Sequence, residues 1–171
     1  MKNCLLVIDM QNDFISGALG SNEAKEIVDR VKKRIEKAIN EDEDLFFTKD
    51  THYDDYLNTK EGSFLPVKHC IEGTNGHEIC DELKEYEKNA KAIFIKNTFG
   101  YKDIAKYLEP YERITIVGLC TDICVVSNAL LIKAFYPEKD IGLEKDLCAG
   151  TTVKNHESAL TVMKSCHIRI I

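Results

Sequence analysis

Six short apolar runs, separated by stretches of a different periodicity, constrain the fold of this 171-residue chain more than any other feature. They are "CLLVID" (4–9), "DLFFTK" (44–49), "AIFIK" (92–96), "RITIVG" (113–118), "DIGLE" (140–144) and "HIRII" (167–171). Brief runs rich in Ile, Val and Phe suit strands buried on both faces. Between the first two, Ala24, Ile27, Val28, Val31, Ile35, Ala38 and Ile39 recur at helical spacing, with Lys, Glu and Arg on the other side. Similar patterns occupy about 76–88, 102–108, 122–135 and 153–166. Strand and helix in alternation predict a parallel sheet with right-handed crossovers and helices on both faces. The expected class is α/β: a three-layer α/β/α sandwich on a six-stranded, mainly parallel sheet.

The length suits one core, and no repeat, linker or low-complexity tract divides it, so a single domain over residues 1–171 is expected. A net charge of -6 counts against a nucleic-acid partner. At the N-terminus, "MKNCLLVIDMQ" has an apolar run of about five residues before Asp9, too short for a signal peptide or a membrane span. A cytoplasmic protein with no membrane partner is expected. The 7 cysteines (4, 70, 80, 120, 124, 148, 166) are an odd, scattered set, read as mostly reduced, buried apolar residues.

In open parallel sheets the ligand crevice lies beyond the carboxyl ends of the strands. That selects Asp9, Asp50, Lys96 and the stretch from Gly118 to Cys124 for inspection. Each has an ordinary reading as well: an Asp caps turns, a Lys snorkels to water, a Cys on an apolar helix packs. "GLCTDICVVSNAL" (118–130) carries two cysteines four positions apart, open to reading as a metal clip, a redox pair or the setting of a nucleophile. Thr121 and Asp122 suit a helix N-cap, which places Cys124 in the first turn, where free N–H groups favour a thiolate. A nearby Lys96 would lower the thiol pKa further. Asp9 could accept the thiol proton and later activate water, and backbone N–H groups could receive an oxyanion. Together these residues equip a chain for acyl transfer through a thioester.

Segment 50–76, about 27 residues without clear periodicity, is long enough for a functional loop. Asp50 and His52 stand just after a strand, His69 follows, and Glu61 lies between. The set reads either as a solvated acidic loop with incidental histidines or as two imidazoles and two carboxylates for Zn²⁺, Mn²⁺ or Fe²⁺. His77, His156 and His167 suit capping or packing, and "DLCAGTTVKNHE" is expected to cap the last helix through Thr151 or Thr152.

The segments "LLVIDMQNDF" (5–14), "FTKDTH" (47–52), "LPVKHCIEGTNG" (65–76), "IFIKNTFG" (93–100), "VGLCTDICVVSNAL" (117–130) and "DLCAGTTVKNHESAL" (146–160) resemble, in order, the isochorismatase-like cysteine hydrolases, and among them the nicotinamidase-related amidases. The resemblance implies an Asp9–Lys96–Cys124 triad. It also implies a cis peptide at Leu119–Cys120 and an oxyanion hole made by the N–H groups of Cys120 and Cys124. It assigns Asp50, His52 and His69 to a metal. The fourth ligand varies among relatives, and Glu61 rather than Asn58 fits the pattern here. Zinc is the expected ion, with Mn or Fe as alternatives; in the family it holds the ring nitrogen of nicotinamide while the amide carbonyl faces the cysteine. Phe14 matches an aromatic residue that flanks that ring. The stacking Trp of many relatives corresponds to Pro66, in a chain with Trp 0, which leaves Phe64, Phe99 and Tyr101 as substitutes.

The leading expectation is therefore a metal-containing cysteine amidohydrolase that turns a small amide, nicotinamide above all, into its acid and ammonia, a reaction of NAD salvage. Relatives imply a homo-oligomer, dimer or tetramer. One alternative is hydrolysis of another small C–N substrate, carbamoyl or amide. Carbamoyl relatives hold a substrate carboxylate with Arg, and Arg30, Arg34, Arg113 and Arg169 all lie away from the expected crevice. A non-catalytic thiol redox or binding protein using Cys120 and Cys124 is the other; it gives Asp9 and Lys96 no task.

Overall fold

A computed structural model, which describes residues 2–171, turns each apolar run into a strand: β1 (Asn3–Ile8), β2 (Asp44–Asp50), β3 (Ala90–Lys96), β4 (Arg113–Leu119), β5 (Asp140–Ala149) and β6 (Arg169–Ile170). Every pairing is parallel, in the order β3-β2-β1-β4-β5-β6. The sheet is thus wholly parallel, and β1, β2 and β4 are buried almost throughout, as strands covered on both faces must be. The helices are α1 (Asn12–Ile15), α2 (Asn22–Asn40), α3 (Lys60–Phe64), α4 (Asp81–Lys84), α5 (Ile104–Leu108), α6 (Val126–Phe135) and α7 (Val153–Ser165).

Two apolar cores sandwich the sheet, and β1 divides its side chains between them by simple alternation. Leu5 and Val7 pack with Ile27, Val31 and Ile35 of α2; Leu6 and Ile8 pack with residues of α5, α6 and α7. Each buried aliphatic side chain contributes roughly 1.5–3 kcal/mol over its exposed state, so this alternation fixes which face each helix covers. The long helix α2 starts where Ser21 Oγ accepts from Ala24 N at 3.0 Å, and α7 starts where Thr152 Oγ1 accepts from Asn155 N at 3.1 Å.

Two segments differ from their periodicity. Region 76–88 is not one helix but a 3₁₀ turn, α4 and a second 3₁₀ turn. Residues 78–80, between the first turn and α4, are held extended instead, because Cys80 N donates to Met10 O at 2.9 Å and Gln11 bridges Ile79. Loop 50–76 contains a 3₁₀ turn and α3, the latter capped by Thr59 Oγ1, which accepts from Gly62 N at 3.0 Å. Among the described residues no helix is long and apolar enough to cross a membrane.

The strand order reverses between β1 and β4, and a ligand crevice forms outside such a switch point. Gly118 pairs with Ile8 there at φ 119, and a Cβ on it would lie 2.1 Å from Ile8 O, so only glycine lets the two strands meet. On the other side Asp9 itself is left-handed, at φ 46, a conformation that costs a non-glycine residue about 1–3 kcal/mol.

Candidate active site

Asp9 follows β1, Lys96 ends β3, and Cys124 sits in the π-helical turn Thr121–Val125 that links β4 to α6. The fold brings all three together. Lys96 Nζ lies 2.6 Å from Asp9 Oδ2 and donates to Cys124 Sγ at 3.3 Å. Thr48, from the neighbouring strand, donates its hydroxyl to Asp9 Oδ1 at 2.5 Å and accepts from Asp9 N at 3.1 Å. Asp9, Lys96 and Cys124 are all buried.

Burial decides the charge states. It raises the Asp9 carboxyl above the usual range, against the pull of Lys96. It opposes the Lys96 charge too, but Asp9, the Cys124 sulfur and Asp50 outweigh it and hold the ammonium well above its ordinary value. Burial, followed by the Asp9 charge, drives the Cys124 thiol well above its usual range despite Lys96. The sequence reasoning expected a lowered thiol; the opposite direction follows from full enclosure among carboxylates. In the free protein the proton therefore rests on sulfur, and a base must take it.

The turn that presents Cys124 also departs from expectation. Leu119–Cys120 is trans, as is every peptide bond among the described residues. The trans form is the favoured one, a non-proline cis bond costing roughly 2.5–4 kcal/mol, and Gly118 supplies the change of direction through its own φ. Thr121 and Asp122 do not cap the helix. Cys120 holds the N-cap position, its carbonyl accepting from Ile123 N at 3.0 Å and Val125 N at 3.1 Å. Asp122 instead accepts from Thr151 N at 2.8 Å and from its hydroxyl at 2.5 Å, while Thr121 Oγ1 pairs with His156 Nδ1 at 2.8 Å. The Cys124 turn is tied to the loop after β5 through Thr151 and to α7 through His156 rather than capped from within.

On the far side of Asp50 stands a second group. Single ligand atoms of Asp50, His52, Glu61 and His69 all lie within 4.8 Å of one another. His52 Nε2 is 2.8 Å from Asp50 Oδ2 and 3.6 Å from Glu61 Oε1; His69 Nε2 is 3.6 Å and 3.8 Å from the same two atoms. Bonds of roughly 2.0–2.2 Å to one ion would hold neighbouring ligand atoms about 3–4 Å apart, so the set fits a divalent metal with small movements. His69 Nδ1 lies 2.8 Å from Val67 O; donating its proton there leaves Nε2 as the free lone pair toward the group. Burial opposes the His69 charge, yet Asp50, the Val67 carbonyl and Glu61 raise its pKa above the usual imidazole value. Asp50 is held well below the usual carboxylate range: burial works against this, and His52, His69 and Lys96 overcome it.

Cys124 and the Asp50, His52, Glu61 and His69 group line one cavity of about 1040 Å³. Phe14, Phe64 and Phe99 line it as well. Tyr101 does not: its ring stacks on Phe94 at 5.0 Å, within the core of the sheet's other face, and its N–H is fixed by Asn128 Oδ1 at 2.9 Å. The substitute aromatic role expected of Tyr101 is therefore corrected. The arginines are engaged elsewhere: Arg34 with Glu43 and Glu144, Arg113 and Arg169 with Asp140, and Arg30 with its own helix.

Residues 3–171 match the isochorismatase domain family. The chain belongs to the isochorismatase family. It is similar over most of its length to nicotinamidases: 26% identical to that of Saccharomyces cerevisiae, across 74% of this chain and 79% of the yeast protein. The crystal structure of a nicotinamidase from Bacillus subtilis superposes with a TM-score of 0.86 at 29% identity, covering 99% of each chain. A pyrazinamidase of Pyrococcus horikoshii, in complex with zinc, superposes at 0.85 with 29% identity, covering 100% of this chain and 99% of that one.

Within this isochorismatase-family site, sequence reasoning missed four supporting residues. Thr48 holds Asp9. Gln11 Oε1 accepts from Asp50 N at 2.7 Å, and its amide donates to Asp50 O and His77 O, each at 2.8 Å. Tyr56 packs its ring 4.7 Å from His52 and 5.0 Å from His69, with its hydroxyl on Leu65 O at 2.9 Å. Asn128 Nδ2 donates to Cys124 O at 2.8 Å. Only Thr48 carried a signal, a polar side chain inside an apolar strand.

Proposed function

We propose that this isochorismatase-family hydrolase is a metal-containing cysteine amidohydrolase that cleaves a small amide, nicotinamide above all, to its carboxylate and ammonia. The observation that carries the reading is the shared position of Lys96, whose Nζ touches Asp9 at 2.6 Å, Asp50 at 3.0 Å and Cys124 at 3.3 Å. A thiol buried beside a raised carboxyl and a fixed cation is equipped to pass its proton to that carboxylate when a carbonyl arrives.

In this reading Asp9 takes the Cys124 proton and the sulfur attacks the amide carbon. The oxyanion is received by the N–H groups of Cys120 and Cys124. Asp9 returns the proton to the leaving nitrogen, ammonia departs, and a thioester remains. Asp9 then takes a proton from water, whose oxygen attacks the thioester; the acid leaves and the thiol is restored. Lys96 keeps Asp9 and the developing thiolate charged. Asp50, His52, Glu61 and His69 would hold the divalent metal, zinc before Mn or Fe, which supplies a Lewis acid for a substrate nitrogen or oxygen. The zinc-complexed pyrazinamidase of similar fold supports that choice.

The unpaired state of the seven cysteines supports a cytoplasmic protein, and the likeness to nicotinamidases supports a task in NAD salvage. We also take the whole chain as one domain, in the dimer or tetramer that the family likeness implies. Ammonia release by purified, zinc-loaded protein from nicotinamide, pyrazinamide and other small amides tests the reading. Turnover of nicotinamide is the expected result. Silence toward all of them, with turnover of an N-carbamoyl compound, would move the protein to the other C–N substrates of its family.

A further inference from the structure

The cavity that opens on Cys124 is larger than a one-ring amide needs. At about 1040 Å³ it reaches the top of the roughly 300–1,000 Å³ range of sites that enclose drug-sized ligands. The reacting and metal-ligating groups occupy only part of it, since contacts of 3.3, 3.0 and 2.8 Å link Cys124 to His52 through Lys96 and Asp50. Much of the remaining wall is apolar, built by Phe14, Leu19, Phe64, Leu65, Phe99 and Ile123. Three of these residues are left exposed by the rest of the protein: Phe64 at 79%, Phe99 at 43% and Leu65 at 36%. Large apolar rings on the wall of a catalytic cavity gain free energy only when something apolar covers them.

The charges in the wall narrow what that something is. The four arginines are all engaged outside the cavity, and the lysine that lines it, Lys60, lies 5.1 Å over the Phe64 ring. Asp50, Asp55 and Glu61 line the same cavity. An acidic tail on the substrate would meet more carboxylates than cations.

Resting on the amidase reading, and narrowing it from nicotinamide itself to ring-substituted relatives, we infer that the preferred substrate is an amide whose acyl group carries an uncharged apolar extension, alkyl or aryl, beyond the ring that bears the carboxamide. Phe64 and Phe99 are the specificity-determining residues that cover the extension.

The test uses pyridine-3-carboxamides with hydrogen, methyl, butyl or phenyl at ring carbon 5, and zinc-loaded enzyme. Ammonia release gives kcat/KM, and calorimetry on the Cys124→Ala protein gives Kd without turnover. From hydrogen to phenyl, kcat/KM rises at least about tenfold and Kd tightens by a similar factor. In the Phe64→Ala/Phe99→Ala protein, which loses only exposed rings and keeps its fold, the phenyl-to-hydrogen ratio falls to near one. A ratio at or below one in the parent enzyme overturns the inference, as does a ratio that survives the double substitution. A change of molecular mass in the double variant with the ratio unmoved assigns the rim to a second copy of the chain and overturns it too. No turnover of any member, with Kd still tightening about tenfold, would overturn the amidase reading and leave the apolar subsite standing.

Discussion

Lys96 Nζ donates to Asp50 Oδ1 at 3.0 Å, and the other oxygen of that carboxylate faces His52 Nε2 at 2.8 Å. A single side chain thus joins the Lys96–Asp9 ion pair beside Cys124 to the group formed with His52, Glu61 and His69. Its backbone is clamped at both N–H and C=O by the buried amide of Gln11, so the carboxylate has little freedom to serve one neighbour at the other's expense. Parallel strands ending side by side make this possible: Asp50 and Lys96 are register partners at the ends of β2 and β3.

Replacing Asp50→Asn keeps the shape and removes the charge on which both halves draw. Zinc affinity should fall by at least roughly 10–100-fold, read by competition with a chromophoric chelator. Ammonia release at saturating zinc should remain depressed by a similar factor, because Lys96 has lost one of its two carboxylates. Full recovery at high zinc would show that Asp50 serves the metal alone.

His69 gives the metal group a pH dependence whose sign can be worked out. Its pKa is raised in the folded, metal-free protein, so its proton contributes stability that is fully present below the unfolded imidazole value of about 6.5 and is lost as pH rises through the folded value. A metal needs the same nitrogen deprotonated. Melting without metal should therefore become easier from about pH 6 to about pH 8, while the increase in Tm on adding zinc grows over that interval. Calorimetry in buffers of different ionisation enthalpy should detect proton release on zinc binding, and a zinc-induced increase in Tm that shrank with pH would refute the assignment.

Most of the layout was legible because it follows from burial patterns that a sequence displays directly. Strands covered on both faces announce themselves as apolar runs, and in a parallel sheet their carboxyl ends must gather Asp9, Asp50, Lys96 and the Cys124 turn. What escaped depends on contacts distant in the chain. The helical pattern of 76–88 yields to pairing with Met10 and Gln11. Tyr101 faces the core rather than the cavity because Asn128, twenty-seven residues onward, holds its N–H. The direction of the Cys124 shift was unreadable for the same reason: the proximity of Lys96 could be inferred from topology, whereas the depth of enclosure, which outweighs it, emerges only from packing.

The two cysteines of "GLCTDIC" should behave differently. Cys124→Ala removes the nucleophile and should lower kcat by roughly 10⁴-fold or more, whereas Cys120→Ala, which retains the backbone N–H, should stay within a few-fold of the parent. Neither thiol is a ready thiolate: burial pushes Cys120 up to about 12 and raises Cys124 as well. Brief iodoacetamide treatment near neutral pH should label the exposed Cys166 first, as peptide mass mapping will show. Immediate labelling of Cys124 in the free protein would mean that its proton has already left and that Asp9 is not needed to take it.

Thr48 offers the sharpest probe of Asp9 without touching the triad. Its hydroxyl donates to Asp9 Oδ1 at 2.5 Å and accepts from Asp9 N at 3.1 Å, all in a fully buried setting. Thr48→Val preserves volume but strands both partners, which should cost about 1–3 kcal/mol in urea unfolding. The lost hydrogen bond had favoured the charged carboxylate, so the Asp9 pKa, already raised by burial, rises further. A carboxyl whose folded pKa exceeds its unfolded value contributes stability at low pH and loses it as pH climbs through the folded value. The deficit should accordingly be larger near pH 7 than near pH 5. The acid limb of kcat/KM should move to higher pH in Thr48→Val and return in Thr48→Ser, which restores the hydroxyl. A uniform loss of activity with an unmoved acid limb would confine Thr48 to a packing role.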